Sequence, residues 1–316
     1  MRRAVLKFLR RVIGTQQIID MLDQTIRSES GSRPLRLLPG TEYSRYALPL
    51  DYMPSRNFEP RYGYSQEPIQ SLMSWFETHV NEYRAFLTFM RSLDISHIAL
   101  STTNTTLPNP AWIGGAICAF DALALYAMVR RHTPANYVEI GSGMTTCFAR
   151  QAVKDGGCTT RITSIDPEPR AEIDEICDDV IRDGLETFDL SYFDRLQAGD
   201  IVFFDGSHRS FMNSDVTVFF IDVLPRLAPG VIVHLHDINL PYDYPESFKH
   251  WYWNEQYMLA VYMMGRRDSI VPLLPTTFIC RSPSFREELT APFRDLGEQN
   301  DSWRGGGSMW FTHRPR

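Results

Sequence analysis

From residue 137 onward the chain alternates short apolar runs with longer amphipathic ones. Residues 137–140, 162–165, 180–182, 201–204, 231–235, 269–273 and 309–313 are short and mainly apolar. Runs of that length and character predict strands buried on both faces. In the intervals, 145–155, 171–177, 215–227 and 251–264 carry the spacing of helices. Strands alternating with helices predict an α/β fold, a doubly wound and mostly parallel sheet covered by helices on both sides.

The pattern ahead of residue 137 is different. Residues 112–131 form one long apolar stretch, ending in Arg130 and Arg131 with Pro134 beyond, and predict a single helix. Over 68–93, Ile69, Leu72, Trp75, Phe76, Val80, Tyr83, Phe86 and Leu87 recur at helical spacing. Residues 94–111 break that regularity. Residues 28–67, rich in Ser, Pro, Gly, Arg and Tyr, predict an irregular wrap. The first 14 residues hold Arg2, Arg3, Lys7, Arg10 and Arg11 and no acid, with Val5, Phe8, Leu9, Val12 and Ile13 on one helical face. A basic amphipathic helix of this kind suits packing on a subunit surface or peripheral contact with an anionic membrane. It does not suit a signal peptide, because charges interrupt the apolar part. The expected organisation is a mainly helical and irregular N-terminal extension over 1–111 and an α/β domain over 112–316.

Composition narrows the function classes. Hydrophobic residues make up 43% of the chain and charged residues 22%, which is ordinary globular material. A net charge of −6 argues against a general nucleic-acid binder. No apolar run approaches the ~20 residues that cross a bilayer. Cys118, Cys147, Cys158, Cys177 and Cys280 are scattered and contain no Cys-x-x-Cys pair. That excludes a disulfide framework or zinc knuckle as the organising device and points to a reducing, cytoplasmic setting.

Three stretches carry candidate chemistry. The first is Glu139-Ile140-Gly141-Ser142-Gly143, a glycine turn between a strand and a helix, with Asp166 ending the next strand about 25 residues after Gly141. A glycine turn lets backbone approach a ligand closely, and an acid at that place accepts from ribose hydroxyls. The dinucleotide fingerprint also asks for a glycine at 146, where Thr146 stands, and Glu139 is ill placed beside a pyrophosphate. The same acid suits a cofactor with a cationic amino-acid end. The second stretch is Asp205-Gly206-Ser207-His208, at the end of an apolar strand. The third is His234-Leu235-His236-Asp237, where alternation puts both histidines on one strand face and Asp237 at its end. Converging strand ends would bring Asp205, His236 and Asp237 together, a donor set suited to magnesium or manganese.

These motifs resemble class I S-adenosylmethionine-dependent methyltransferases, over residues 112–316 and most clearly over 137–237. The glycine loop is similar to that family's first motif, with Asp166 as its ribose-binding acid. Asp205-Gly206-Ser207-His208, with Asp215, resembles the branch of metal-dependent O-methyltransferases of sugars and small molecules. The resemblance implies a Rossmann-like seven-stranded sheet with a final antiparallel strand. It implies S-adenosylmethionine held by Glu139, Gly141, Ser142, Gly143, Asp166, Glu186 and Asp205, and Mg2+ or Mn2+ held by Asp205, His236 and Asp237. His236 departs from the branch, where an acid is usual. The expected activity is O-methylation of a sugar or small-molecule hydroxyl, with His208, His236 and Asp237 as the reacting groups. Residues 242–253, with His250, Trp251 and Trp253, would line the acceptor side. Two rivals remain open: an NAD(P)-dependent oxidoreductase on the same sheet, and a non-catalytic cofactor-binding scaffold.

Overall fold

The computed structural model describes residues 59–289, apart from 115, 170, 171 and 250, together with residues 305–314. The basic helix expected at 1–14, most of the irregular wrap and His250 lie outside the described residues.

The periodic stretch at 68–93 forms two helices, α1 (Gln70–Glu77) and α2 (Val80–Arg91). They part at Thr78, whose hydroxyl donates to the Trp75 carbonyl at 2.6 Å and so ends the first helix. Their apolar faces, with Leu72, Trp75, Phe76, Tyr83, Phe86, Leu87 and Met90, join the same core as the sheet. Phe76 and Tyr83 both meet the Phe278 ring edge-on.

The single helix expected over 112–131 is shorter than that. Its start is taken by a strand, β2 (Ala111–Ile113), paired in parallel with β1 (Ala99–Ser101) inside the stretch expected to be loop. Gly114 at φ +95° turns the chain away, and α3 (Ala119–His132) begins only after it. Every residue of α3 from Ala119 to Val129 is buried, which explains why the stretch looks apolar on all sides.

The main sheet is built from β3 (Asn136–Ile140), β4 (Arg161–Ile165), β5 (Asp179–Ile181), β6 (Ile201–Phe204), β7 (Ile232–His236), β8 (Ile270–Pro275) and β9 (Ser308–His313). Their order is β5-β4-β3-β6-β7-β9-β8, parallel except for β9, which runs antiparallel to both neighbours. Each expected strand is present within two residues of its expected ends. The chain order reverses between β3 and β6, so the loops leaving their C-terminal ends diverge and open a crevice there.

The helices depart more from expectation. α4 (Met144–Gly156) follows the glycine loop as expected. Where a helix was expected over 171–177, the described residues 172–177 form a 3₁₀ turn, Asp174–Ile176. Residues 215–227 form a short α5 (Asp215–Val218) running into a wider turn, Phe219–Val223, that stacks Phe219 on Phe204 with centroids 4.2 Å apart. The helix expected over 251–264 is α6 (Glu255–Gly265). Tyr252 at φ +55° breaks it early and leaves Trp251 and Trp253 in the preceding loop. α7 (Thr276–Arg281) follows β8. No helix among the described residues is long and apolar enough to cross a membrane.

Candidate active site

The crevice at the sheet's switch point is a cavity of about 680 Å³. Its floor is the Ile140–Thr145 loop, its sides the loops after β4, β5 and β6, and its roof the segment from Thr102 to Ile117. Gly141, at φ +80°, is pressed against the next strand end: a Cβ there would lie 1.9 Å from the Asp205 backbone oxygen. Asp205 in turn donates its N–H to the Ile140 carbonyl at 2.9 Å. The glycine loop and the end of β6 are therefore one packed unit.

Of the expected cofactor contacts, Gly141, Ser142, Gly143, Asp166, Glu186 and Asp205 all lie on the cavity wall. Asp166 is held in place by the backbone, its two oxygens accepting from Ser142 N and Glu168 N at 2.8 Å each. Each oxygen keeps a lone pair for a ligand hydroxyl. Glu139 is fully buried and off the wall. Burial pushes its carboxyl up to about 8, against the pull of the Thr145, Thr146 and Tyr137 hydroxyls. Gly143 N donates to Thr146 Oγ1 at 3.1 Å, and Thr146 Oγ1 donates to Glu139. Thr146, standing where a dinucleotide fold has glycine, thus ties the loop to the acid beneath it.

The far end of the cavity meets β6 and β7. His208 Nε2 lies 3.4 Å from both Asp205 Oδ1 and Asp237 Oδ2. Asp205, His208 and Asp237 each offer a ligand atom, all within 4.8 Å of one another, and could hold a metal ion. His236 is beside them, its Nδ1 3.8 Å from Asp205 Oδ1 and 3.6 Å from Asp237 Oδ2. Neither ring nitrogen of His236 has a hydrogen-bond partner among the described residues, and the ring edges the cavity. Burial opposes charge on this ring, but Asp237, Asp205 and Asp121 outweigh it and raise His236 to about 10. His234 does not join the cluster: it stacks on Phe203 with centroids 3.9 Å apart and is core.

Both His208 and Asp237 sit in the left-handed region, at φ +62° and +54°. Non-glycine residues adopt that backbone only where the surroundings hold them. The hold on His208 is visible. Asn254 N donates to the His208 carbonyl at 3.0 Å, and Ser210 N donates to Asn254 Oδ1 at 2.7 Å. The ring packs on Trp253 with centroids 4.0 Å apart, and Nδ1 hydrogen-bonds Glu255.

Glu255 went unmarked in the sequence because it lies in a helix with an otherwise apolar pattern. The Asn254-Glu255-Gln256 run at that helix's start is the one signal of it. Glu255 is buried, and burial lifts its carboxyl to about 7 while His208 pulls it down. The Glu255 carboxylate raises His208 in turn, against the opposing effect of burial. The roof residues Thr102, Thr105, Leu107 and Asn109 also come from a stretch whose sequence marked only loop. Of the residues expected on the acceptor side, Trp251 stacks on Phe248 with centroids 4.4 Å apart and Trp253 meets the same ring edge-on at 5.0 Å, and none of the three lines the cavity.

Residues 138–238 match the family described as "Methyltransferase domain". No curated protein matches the chain. Among solved structures, the chain is similar to the O-methyltransferase TomG from Streptomyces achromogenes, involved in tomaymycin synthesis and solved with SAM. The identity is 16%, covering 77% of this chain and 99% of that one, with a TM-score of 0.39. It is similar to the plantazolicin methyltransferase BpumL, solved with SAH, at 13% identity over 78% of this chain and 99% of that one, TM-score 0.39. It is also similar to an O-methyltransferase from Bacillus cereus, solved with SAH, at 13% identity over 78% and 100%, TM-score 0.35.

Proposed function

We propose that this chain, which matches a methyltransferase-domain family over residues 138–238, is a class I enzyme that moves the methyl group of S-adenosylmethionine to a hydroxyl of a sugar or small molecule. The observation that carries the reading is the sign of the cavity wall. Asp166, Glu168, Glu186, Asp205 and Asp215 line it, and no Lys or Arg among the described residues does. A pyrophosphate would meet five carboxylates, with His236 alone among the described lining residues able to carry positive charge. A nucleoside bearing a sulfonium and an ammonium fits the same wall. Asp166 would take the ribose, the Ser142–Thr145 turn and first turn of α4 the amino-acid carboxylate, and Glu186 the adenine side.

When bound, S-adenosylmethionine supplies an electrophilic methyl carbon. The chain's work is to align the acceptor oxygen with that carbon and to take the hydroxyl proton. The oxygen–carbon bond forms as the carbon–sulfur bond breaks, and the electron pair leaves with sulfur. His236, on the cavity wall and raised to about 10 by Asp237, Asp205 and Asp121, would donate to the acceptor oxygen, and the Asp205 carboxylate beside it would receive the proton. A divalent cation among Asp205, Asp237 and an imidazole would lower the hydroxyl pKa and meet the carboxylate charge beside His236.

Calorimetric titration of the full chain tests the reading. S-adenosylmethionine should bind at one site and NADH or NADPH should not. Transfer of a labelled methyl group to a panel of hydroxylated sugars and small molecules then separates an enzyme from a scaffold. Tighter binding of a dinucleotide, or cofactor binding with no transfer to any acceptor, would overturn it.

A further inference from the structure

We infer that the exposed face of α6 is where two copies of this chain meet, about a two-fold axis beside Val261. The pairing is independent of methyl transfer and of any bound cofactor.

The helix itself comes first. Residues 256–265 contain no charged residue. Leu259, Ala260 and Met263 face the core. Tyr257, Val261 and Met264, at i, i+4 and i+7, form one stripe on the other side and are exposed, Val261 by 68%. A helix that is apolar all round is built to be covered all round, and the fold covers only the first of these faces.

The stripe is part of a wider patch. Tyr64 and Tyr257 both turn their hydroxyls to Asp243, one donating to its carbonyl at 3.4 Å and the other to its Oδ1. Rings continue from Tyr257 through Tyr244 and Phe248 to Trp251, with successive centroids 5.8, 6.2 and 4.4 Å apart. Tyr64, Trp251, Tyr257, Val261 and Met264 are five of the ten large hydrophobic side chains exposed among the described residues, so the exposure is concentrated around one helix. Their exposed portions come to roughly 500 Å², which is the apolar share of a standard homodimer interface of about 800 Å² per partner.

The face is also fixed in shape. Asp243 anchors the Tyr257 ring, and Met264 Sδ accepts from Ser71 Oγ at 3.2 Å. The Arg281 guanidinium lies on both the Tyr64 and Tyr242 rings, 4.3 and 4.6 Å from their centroids. Side chains already held lose little entropy when a partner covers them.

Symmetry selects a second copy as that partner. Val261 lies about midway between Tyr257 and Met264 along the helix. An antiparallel copy therefore sets Val261 on Val261, and Tyr257 on Met264 at both ends. The smallest of the three side chains then falls at the crossing, and a thioether meets a ring on each side of it. A lipid surface would instead call for Lys and Arg beside the stripe, and α6 has none from Gln256 to Gly265.

Sedimentation velocity of the full chain tests the pairing. Wild type should sediment at twice the mass of one chain at micromolar concentration. Val261→Arg sets two guanidinium groups face to face on the axis and should weaken dimerisation at least about 100-fold. Val180→Arg, on the exposed edge strand β5 at the other end of the sheet order from β8, should leave the mass unchanged. Val261→Cys, oxidised with copper-phenanthroline, should join two chains through a disulfide that a reductant reverses, whereas Val180→Cys should not. Wild type treated in the same way sets the background from the native cysteines. Circular dichroism identifies a variant that fails to fold, and if Val261→Arg is one, the cysteine pair decides. A monomeric wild type, a dimer that survives Val261→Arg, cross-linking no greater at 261 than at 180, or a monomer that floats with phosphatidylcholine vesicles would each overturn the proposal.

Discussion

Gly141 and Asp205 are in contact so close that a single added methyl group cannot fit between them. Its carbon would fall 1.9 Å from the Asp205 backbone oxygen, and Gly141 holds φ +80° besides. The loop that would hold the cofactor and the strand end that would face the acceptor are thus set against each other by backbone alone. Gly141→Ala should displace both. The expected outcome is a loss of about 2 kcal/mol or more in chemical denaturation, from the left-handed backbone and the clash together, and S-adenosylmethionine binding weakened at least tenfold. Unchanged affinity would show that the loop does not carry the cofactor.

Thr146 and Glu139 test the same loop from below. The Thr146 hydroxyl passes the Gly143 N–H on to a fully buried carboxyl. Thr146→Val keeps the shape and removes the hydroxyl, leaving Glu139 short of a donor. A loss of about 1–3 kcal/mol is expected by urea unfolding, with Thr146→Ser close to wild type.

Asp166 should matter for affinity more than for stability. Asp166→Asn keeps an acceptor for one of the two backbone donors, Ser142 N or Glu168 N, and removes the charge offered to a ribose. The dissociation constant for S-adenosylmethionine should rise about 10–100-fold by calorimetry, while the melting temperature shifts little.

Acid should destabilise the fold through His234 and His313. Burial holds both neutral: it pushes His234 well down and His313 down to about 4, with His236 adding to the first and Arg266 to the second. Their folded values lie below the ordinary 6.5, so the unfolded chain binds more protons in between. Stability is therefore present above about 6.5 and falls as pH drops toward 4. His234→Phe, which keeps a ring on Phe203, should flatten that decline between pH 7 and 5 in urea titrations at several pH values. An equally steep decline in the variant would place the acid sensitivity elsewhere.

Much of the fold was legible from residues alone. A strand needs only a short apolar run and a chain stop, so 201–204 or 162–165 announced themselves locally, and the glycine loop with Asp166 followed from its place between them. Helix bounds were less legible. Burial on all sides hides helical period in α3, and the left-handed backbone at Tyr252 that delays α6 has no sequence mark. For the site, the chain by itself determined the strand-end carriers: Asp205 after β6, His236 and Asp237 at the end of β7. Only the tertiary structure decided how they meet. It swung His208, through a left-handed turn, between Asp205 and Asp237, and it brought Glu255 from 47 residues further along the chain to hold that ring. It also turned Glu139 inward, beneath the loop it was expected to serve from the wall. Strand ends are set by local pattern, whereas side-chain encounters across loops depend on where distant elements pack.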